Sequence, residues 1–279
     1  MSVFPSETRA RFGAHYPETA HRLSHRLDVH PLLELEALAD LAERLPPQSV
    51  AYNPGDLPIG ASAHPPPPPF PASEAIRNVA QSGCWTVLQK VEQDPRYAAL
   101  MAELLDELRP EIEATTGPMT LIQGFIFVTS PGGVVPYHFD AEHNVLMQVR
   151  GTKAMTVFPA GDPAFARDEA HERFHARGEY LLSWRDELEA GGKRFELGPG
   201  DALYVPVKSP HFVVTGPEPS VSLSITWRST WSHEEADARS FNAVLRRNGI
   251  EPGATHRWPR RNRAKALGWR MVRRLVGTG

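Results

Sequence analysis

Residues 119–158 read MTLIQGFIFVTSPGGVVPYHFDAEHNVLMQVRGTKAMTVF. Short apolar or alternating runs, MTLIQGFIFVTS, VVPYHFD, NVLMQV and KAMTVF, are separated by the turn signals Pro131-Gly132-Gly133 and Arg150-Gly151-Thr152. The same rhythm continues through EYLLSW, KRFELGPGDALYVPV, HFVVTG and VSLSITWRS up to Ser229. Strands of this length joined by tight Gly- and Pro-rich turns predict an antiparallel barrel or jelly roll.

Around this core the pattern changes. Upstream, Leu32, Leu35, Leu38, Leu41 and Leu45 recur at helical steps and stop at Pro46-Pro47. NPGDLPIG reads as turns, and Pro65 to Pro69 as a polyproline II run, either a stiff connector or a partner-binding segment. Ser73 caps a short helix that ends at Gly83, CWTVLQKV reads as a strand, and Pro95 opens a long helix closed by Gly117. Downstream, Ser232 with Glu235 reads as a capping box for a helix ending at Asn248-Gly249. The expected organisation is a helical lead-in with outer strands over 1–118, a β core over 119–231, and C-terminal helices with a basic tail over 232–279.

Composition narrows the chemistry. The 279 residues are 41% hydrophobic and 23% charged, as in an ordinary globular protein, and the net charge of −3 argues against whole-surface attraction to nucleic acid. The single cysteine, Cys84, allows neither an internal disulfide nor a thiolate cluster, so a metal site must use His, Asp and Glu. The N-terminus lacks the apolar core of a signal peptide and no stretch reaches the length of a membrane span, so a cytoplasmic location is expected.

His138 and Asp140 are two apart in VVPYHFDAEHN, a spacing that puts both on one face of a strand. With twelve His in the chain an H-x-D arises readily by chance, but here the flanks are apolar. In LGPGDALYVPVKSPHFVV, Gly200-Asp201 launches a strand, Pro206 ends it, and His211 starts the next. Alone, His211 reads equally as a hydrogen-bonded core histidine. Together the three supply two imidazoles and one carboxylate, a facial set that leaves positions open on a non-haem Fe(II). Lys153 starts the strand after Gly151. If it points inward it requires an anion, because a lysine among Ala154, Met155, Val157 and Phe158 is costly to bury alone; alternation also permits it to point outward. Arg228 is a rival anion anchor.

The spacing H-x-D, Asn144 at +6, Gln148-x-x-Gly151-x-Lys153 ending at +15, then Phe158-Pro159 and P-G-D-x-L-Y-x-P-x-x-x-x-H from Pro199 to His211 resembles the cupin-like, JmjC-type Fe(II)- and 2-oxoglutarate-dependent oxygenases. The nearest group is the one that includes the asparaginyl hydroxylase known as factor inhibiting hypoxia-inducible factor. The resemblance covers residues 119–230. It implies a double-stranded β-helix, Fe(II) on His138, Asp140 and His211, 2-oxoglutarate with its distal carboxylate on Lys153, Asn144 lining that pocket, and O₂ as oxidant. The implied activity is a dioxygenase that hydroxylates a small molecule or peptide and releases succinate and CO₂. Val135 stands where the asparaginyl hydroxylase has a Thr that touches 2-oxoglutarate, so a replacement hydroxyl is sought at Thr129 or Tyr137. Lys208, Ser209 and Pro210 replace the aromatic residues usual before the distal His. His143, His171 and His175 fall outside the spacing and are expected to be structural or exposed.

The alternative is a non-catalytic cupin-type protein that binds metal or ligand to regulate, and Lys153 separates the two, since a sensor needs no 2-oxoglutarate anchor. No specific nucleic-acid binding is expected. The last segment, residues 256–279, holds seven Arg, one Lys and no acid, and Ala264, Leu267, Met271 and Leu275 share one helical stripe. It could lie on a membrane, bind an acidic partner, or pack on the barrel or across a two-fold dimer. Packing, with a homodimer through the C-terminal helices, is the reading carried forward.

Overall fold

The structure, a computed structural model, describes residues 2–61 and 69–276. Apart from Pro69, the proline run lies outside the described residues. The N-terminal region supplies α1 (Ser6–His15), β1 (His21–Ser24), α2 (Leu35–Arg44), β2 (Val50–Pro54), α3 (Ala72–Arg77), β3 (Cys84–Gln89), α4 (Pro95–Asp106) and α5 (Arg109–Thr116). The core follows as β4 (Thr120–Thr129), β5 (Val134–His138), β6 (His143–Arg150), β7 (Lys153–Val157), α6 (Asp168–Arg177), β8 (Lys193–Leu197), β9 (Asp201–Val205), β10 (His211–Thr215) and β11 (Ser220–Arg228). The chain closes with α7 (Thr230–Arg247) and α8 (Arg263–Val276).

The strands form two antiparallel sheets, β1-β9-β6-β11-β4-β3-β2 and β5-β10-β7-β8, and the fold is a double-stranded β-helix with flanking helices. Alternation along the large sheet explains what each face does. On β11, Val221, Leu223, Ile225 and Trp227 join a core with Phe12 of α1, Leu38 and Leu41 of α2, and Tyr97, Leu100 and Leu104 of α4. Ser224 and Thr226, on the opposite face, line a cavity between the sheets. β4 divides likewise: Ile126 and Val128 go to the helical core, and Phe125, Phe127 and Thr129 to the cavity. The N-terminal helices therefore cover the outer face of the sheet that forms one cavity wall. Outside the small sheet, Tyr137, Phe139, Phe158 and Phe212 make a second core.

Several local expectations are corrected. The helix from Pro95 is two helices, because Pro110 has no amide hydrogen to donate and starts a new one at α5. α3 carries no side-chain cap, and Ser73 is its second residue. The cap of α7 is Ser229, whose hydroxyl accepts from the Ser232 amide while the Ser232 hydroxyl accepts from the Ser229 amide; Glu235 is instead buried against Arg239. EYLLSW forms no strand and makes only an isolated bridge from Leu181 to His138. α1, β1, β2 and α6 are elements that the sequence reading does not anticipate. α8 packs on α7 with Ala266 buried and Gly268 set against the Phe241 ring, so the Leu267–Met271–Leu275 stripe faces solvent rather than the protein. No helix among the described residues is long and apolar enough to cross a membrane.

Candidate metal centre and co-substrate pocket

His138 is the last residue of β5 and His211 the first of β10, and the two are register partners in the antiparallel pair. That pairing brings the imidazoles together, tilted by 58°, with centroids 4.1 Å apart. Asp140 lies beyond the end of β5, so its approach to His138 comes from the turn after the strand rather than from strand alternation. The turn brings Asp140 Oδ1 to 3.9 Å from His138 Nε2 and Oδ2 to 3.7 Å from His211 Nε2.

Each imidazole is oriented in the same way. His138 Nδ1 donates to the Pro136 carbonyl at 2.7 Å, and His211 Nδ1 donates to the Ser209 carbonyl at 2.9 Å. A proton held on Nδ1 leaves the Nε2 lone pair facing Asp140, the tautomer a metal-binding histidine needs. Burial pushes the His211 pKa down to about 4, helped by His138 and opposed by Asp140, so its ring is neutral at neutral pH. One ligand atom from each of the three residues lies within 4.8 Å of the others. Two imidazoles and a carboxylate on one side of an open cavity fit a divalent first-row metal with free coordination positions.

The cavity between the sheets measures about 230 Å³, and both the triad and Lys153 line it. Lys153 begins β7 and points inward, only 4% exposed. Its Nζ donates to Ser222 Oγ at 2.7 Å and lies 5.9 Å from the Phe127 ring centre. Burial pushes its pKa down to about 7, with no acidic neighbour to oppose it. A buried amine in the company of one hydroxyl and one ring fits an anionic ligand entering the cavity. Asn144 also lines it, with Oδ1 accepting from Ser224 Oγ at 2.6 Å.

Of the two hydroxyls considered in place of the residue missing at Val135, only Thr129 faces the cavity. Tyr137 is on the outer face of the small sheet; its hydroxyl donates to the Phe165 carbonyl at 3.0 Å and its ring packs on Phe158 and Trp184. Arg228 is not an anchor for the cavity either. It is engaged by Ser232, with Nη2 donating to the carbonyl at 2.9 Å, and by Glu142 at 3.4 Å. Tyr137 misses because neighbouring residues of a strand alternate between faces and it lies on the outer one. Arg228 shares the parity of Ser224 and Thr226, but the register shifts after Thr226 and its guanidinium is taken up by Ser232 and Glu142. His143 is structural, held between Tyr204 Oη at 2.8 Å and Ser229 Oγ at 2.9 Å. His171 is fully buried and His175 partly so, both on α6. The sequence reading overlooked Ser222, Ser224 and Thr226, although their alternation with Val221, Leu223, Ile225 and Trp227 is the available signal for a strand with one polar inner face.

Residues 106–235 match the family model described as the JmjC domain. That match spans the β core, from the last residue of α4 into α7. Solved structures share the chain's fold at low identity. An X-ray structure of Escherichia coli ycfD is 17% identical with a TM-score of 0.55, covering 100% of this chain and 70% of that one. A structure described as YcfD, a ribosomal oxygenase from Escherichia coli, in complex with cobalt and 2-oxoglutarate is 16% identical with a TM-score of 0.52, over 99% of this chain and 68% of that one. A third, in complex with cobalt and succinic acid, is 16% identical with a TM-score of 0.50, again over 99% and 68%. No curated protein matches the sequence. These likenesses fit the JmjC fold and do not single out the asparaginyl hydroxylase within it.

Proposed function

We propose that this JmjC protein is an Fe(II)- and 2-oxoglutarate-dependent oxygenase that hydroxylates a protein side chain or a small molecule and releases succinate and CO₂. The observation that carries the reading is one cavity lined both by the convergent Nε2, Nε2 and carboxylate of His138, His211 and Asp140 and by an inward lysine without an acidic partner among the described residues. The JmjC match and the cobalt and 2-oxoglutarate named for the YcfD structure support it.

In this reading His138, Asp140 and His211 hold Fe(II) from one side. Iron, 2-oxoglutarate and O₂ together supply the oxidising chemistry, with decarboxylation of 2-oxoglutarate coupled to oxygen insertion at a C–H bond. The chain's own residues bind, orient and exclude water. Lys153 and Ser222 receive the distal carboxylate, and Thr129 and Asn144 line the same cavity. Phe125, Phe127, Leu146, Met155 and Val213 keep the cavity apolar, which strengthens every charged contact inside it. Gln89, Gln123, Glu142 and Tyr180 also line the cavity and are left for the substrate.

The proposal extends to the rest of the chain. Residues 119–231 form the catalytic core, 1–118 its helical and outer-strand cover, and 232–279 its C-terminal helices. The YcfD structures are described as those of a ribosomal oxygenase, which supports including protein substrates alongside small molecules. A homodimer through the C-terminal helices is supported by the exposed stripe of α8. A cytoplasmic location agrees with the absence of a membrane-crossing helix among the described residues. The reading is tested by loading the protein with Fe(II) and 2-oxoglutarate and measuring succinate with candidate peptides and metabolites. His138→Ala or His211→Ala should remove both metal retention and turnover; variants as metal-loaded as the wild type would refute it. A regulatory cupin would bind ligand and yield no succinate.

A further inference from the structure

Lys208 is a residue the chemistry above does not use, and its setting is unusual. It is fully buried, yet its Nζ has no hydrogen-bond partner among the described residues. Instead Nζ lies 3.9 Å from the ring centre of Phe174 on α6 and 4.4 Å from that of Phe139. Two aromatic faces, together with Glu235, favour the charged amine against burial, which pushes its pKa down to about 7. The backbone of Lys208 is also strained, with φ of 63° in the left-handed region that glycine occupies freely. A buried unpaired amine and a left-handed backbone at one residue both cost stability.

The turn this residue carries connects all three candidate ligands. The Lys208 amide donates to the Asp140 carbonyl at 2.8 Å. The next residue, Ser209, accepts from His211 Nδ1 and donates its hydroxyl to the Phe158 carbonyl at 3.0 Å, while the Phe158 amide donates to the Pro210 carbonyl at 2.8 Å. Phe139, one of the two rings over the amine, stands between His138 and Asp140 in sequence. One side chain therefore grips the segment bearing His138 and Asp140, and its own backbone bears the turn into His211.

We propose that Lys208 is a positioning residue of the metal centre: its buried amine, seated between Phe139 and Phe174, locks the Lys208–Pro210 turn against Asp140 and so fixes the Asp140 carboxylate and the His211 ring in register. The inference rests on the reading of His138, Asp140 and His211 as metal ligands. It assigns the costs at Lys208 to a gain in metal affinity rather than in fold stability. Removing the amine while keeping the stem then weakens the metal site without weakening the fold, because a buried amine with no hydrogen-bond partner is itself costly to keep.

The test compares wild type, Lys208→Met, Phe174→Leu and His211→Ala as full chains. Each is titrated with Co(II) alone, and each thermal midpoint is measured in chelator. For Lys208→Met the expected result is a Co(II) dissociation constant raised roughly 10- to 100-fold, the range for residues that orient metal ligands, with a metal-free midpoint equal to or above wild type. Phe174→Leu, which removes one ring from the amine and leaves the turn intact, should weaken Co(II) in the same direction and keeps the idea testable if Lys208→Met fails to fold. Unchanged or tighter Co(II) binding in Lys208→Met, with binding abolished in His211→Ala, would overturn the inference and leave the metal centre standing. A weaker site accompanied by a lowered metal-free midpoint would also overturn it, by making Lys208 a general prop. Wild-type binding in His211→Ala would refute the metal centre itself, and the role of Lys208 with it.

Discussion

His138 and His211 face each other across the β5–β10 pair with ring centroids 4.1 Å apart, and each donates its Nδ1 proton to the carbonyl two residues before it. The arrangement leaves the two Nε2 atoms on the side of Asp140. The His211 ring does not gain a proton easily, since burial and the neighbouring His138 both oppose it.

That opposition belongs to a wider set and gives a pH prediction. Burial lowers the pKa of His21 and His211 to about 4, of His175 to about 3 and of His171 to about 2, and holds His25 and His143 below the ordinary value as well. For a depressed folded pKa, the unfolded chain takes up protons first as the pH drops below about 6.5. Stability is then complete above about pH 6.5 and declines steadily as pH falls toward 4. Urea midpoints of metal-free protein between pH 7.5 and 4.5 should trace this decline; a flat profile would show that these rings are not buried neutral.

Lys153 behaves oppositely toward its ligand. With its pKa near 7 in the empty cavity, it must hold a proton to meet a carboxylate, so 2-oxoglutarate affinity should fall as pH rises above about 7. The loss approaches about tenfold per pH unit when one proton must be taken up on binding. Lys153→Met should weaken 2-oxoglutarate by roughly one to two orders of magnitude, as expected for a charge-assisted contact worth about 1.5–3 kcal/mol, while Co(II) binding persists. Calorimetry on Co(II)-loaded protein across pH 6.5–9 reads both effects. A pH-independent affinity, or an unchanged one in the variant, would remove Lys153 from the co-substrate site.

Glu235 and Arg239 form a buried ion pair inside α7 at 2.8 Å, and Arg239 also reaches Asp168 of α6. Arg239→Met strands the Glu235 carboxylate in the core and should cost about 3–5 kcal/mol. Arg239→Met with Glu235→Gln should recover much of that. Chemical denaturation of both variants decides it; equal stability of the single and double variants would show the pair to be uncoupled.

The sequence conveys the strands of the core and the histidine spacing because β periodicity and Gly-Pro turns are local signals. It conveys the inward side of Lys153 only through the apolar neighbours that make an outward position wasteful. Tyr137 is harder, since which face a strand turns inward is a tertiary fact, and Arg228 is harder because the register shift after Thr226 and the approach of Glu142 are not local signals. α6 stays hidden because its sequence, DEAHERFHAR, buries His171 and Glu172 rather than an apolar stripe. β1 and β2 span only four and five residues and gain their pairing from β9 and β3. The stripe on α8 is visible in sequence, but Ala266 and Gly268 decide which face packs, because only small residues allow α8 so close to Phe241.

The most direct test of the central claim is Fe(II)-dependent conversion of 2-oxoglutarate to succinate, followed under O₂ in wild type and in His211→Ala. The account predicts succinate from the wild type, its disappearance on adding a chelator, and none from the variant, whose fold is checked by an unchanged far-UV spectrum. Succinate formed equally by folded His211→Ala, or none from iron-loaded wild type with any candidate substrate, would contradict it.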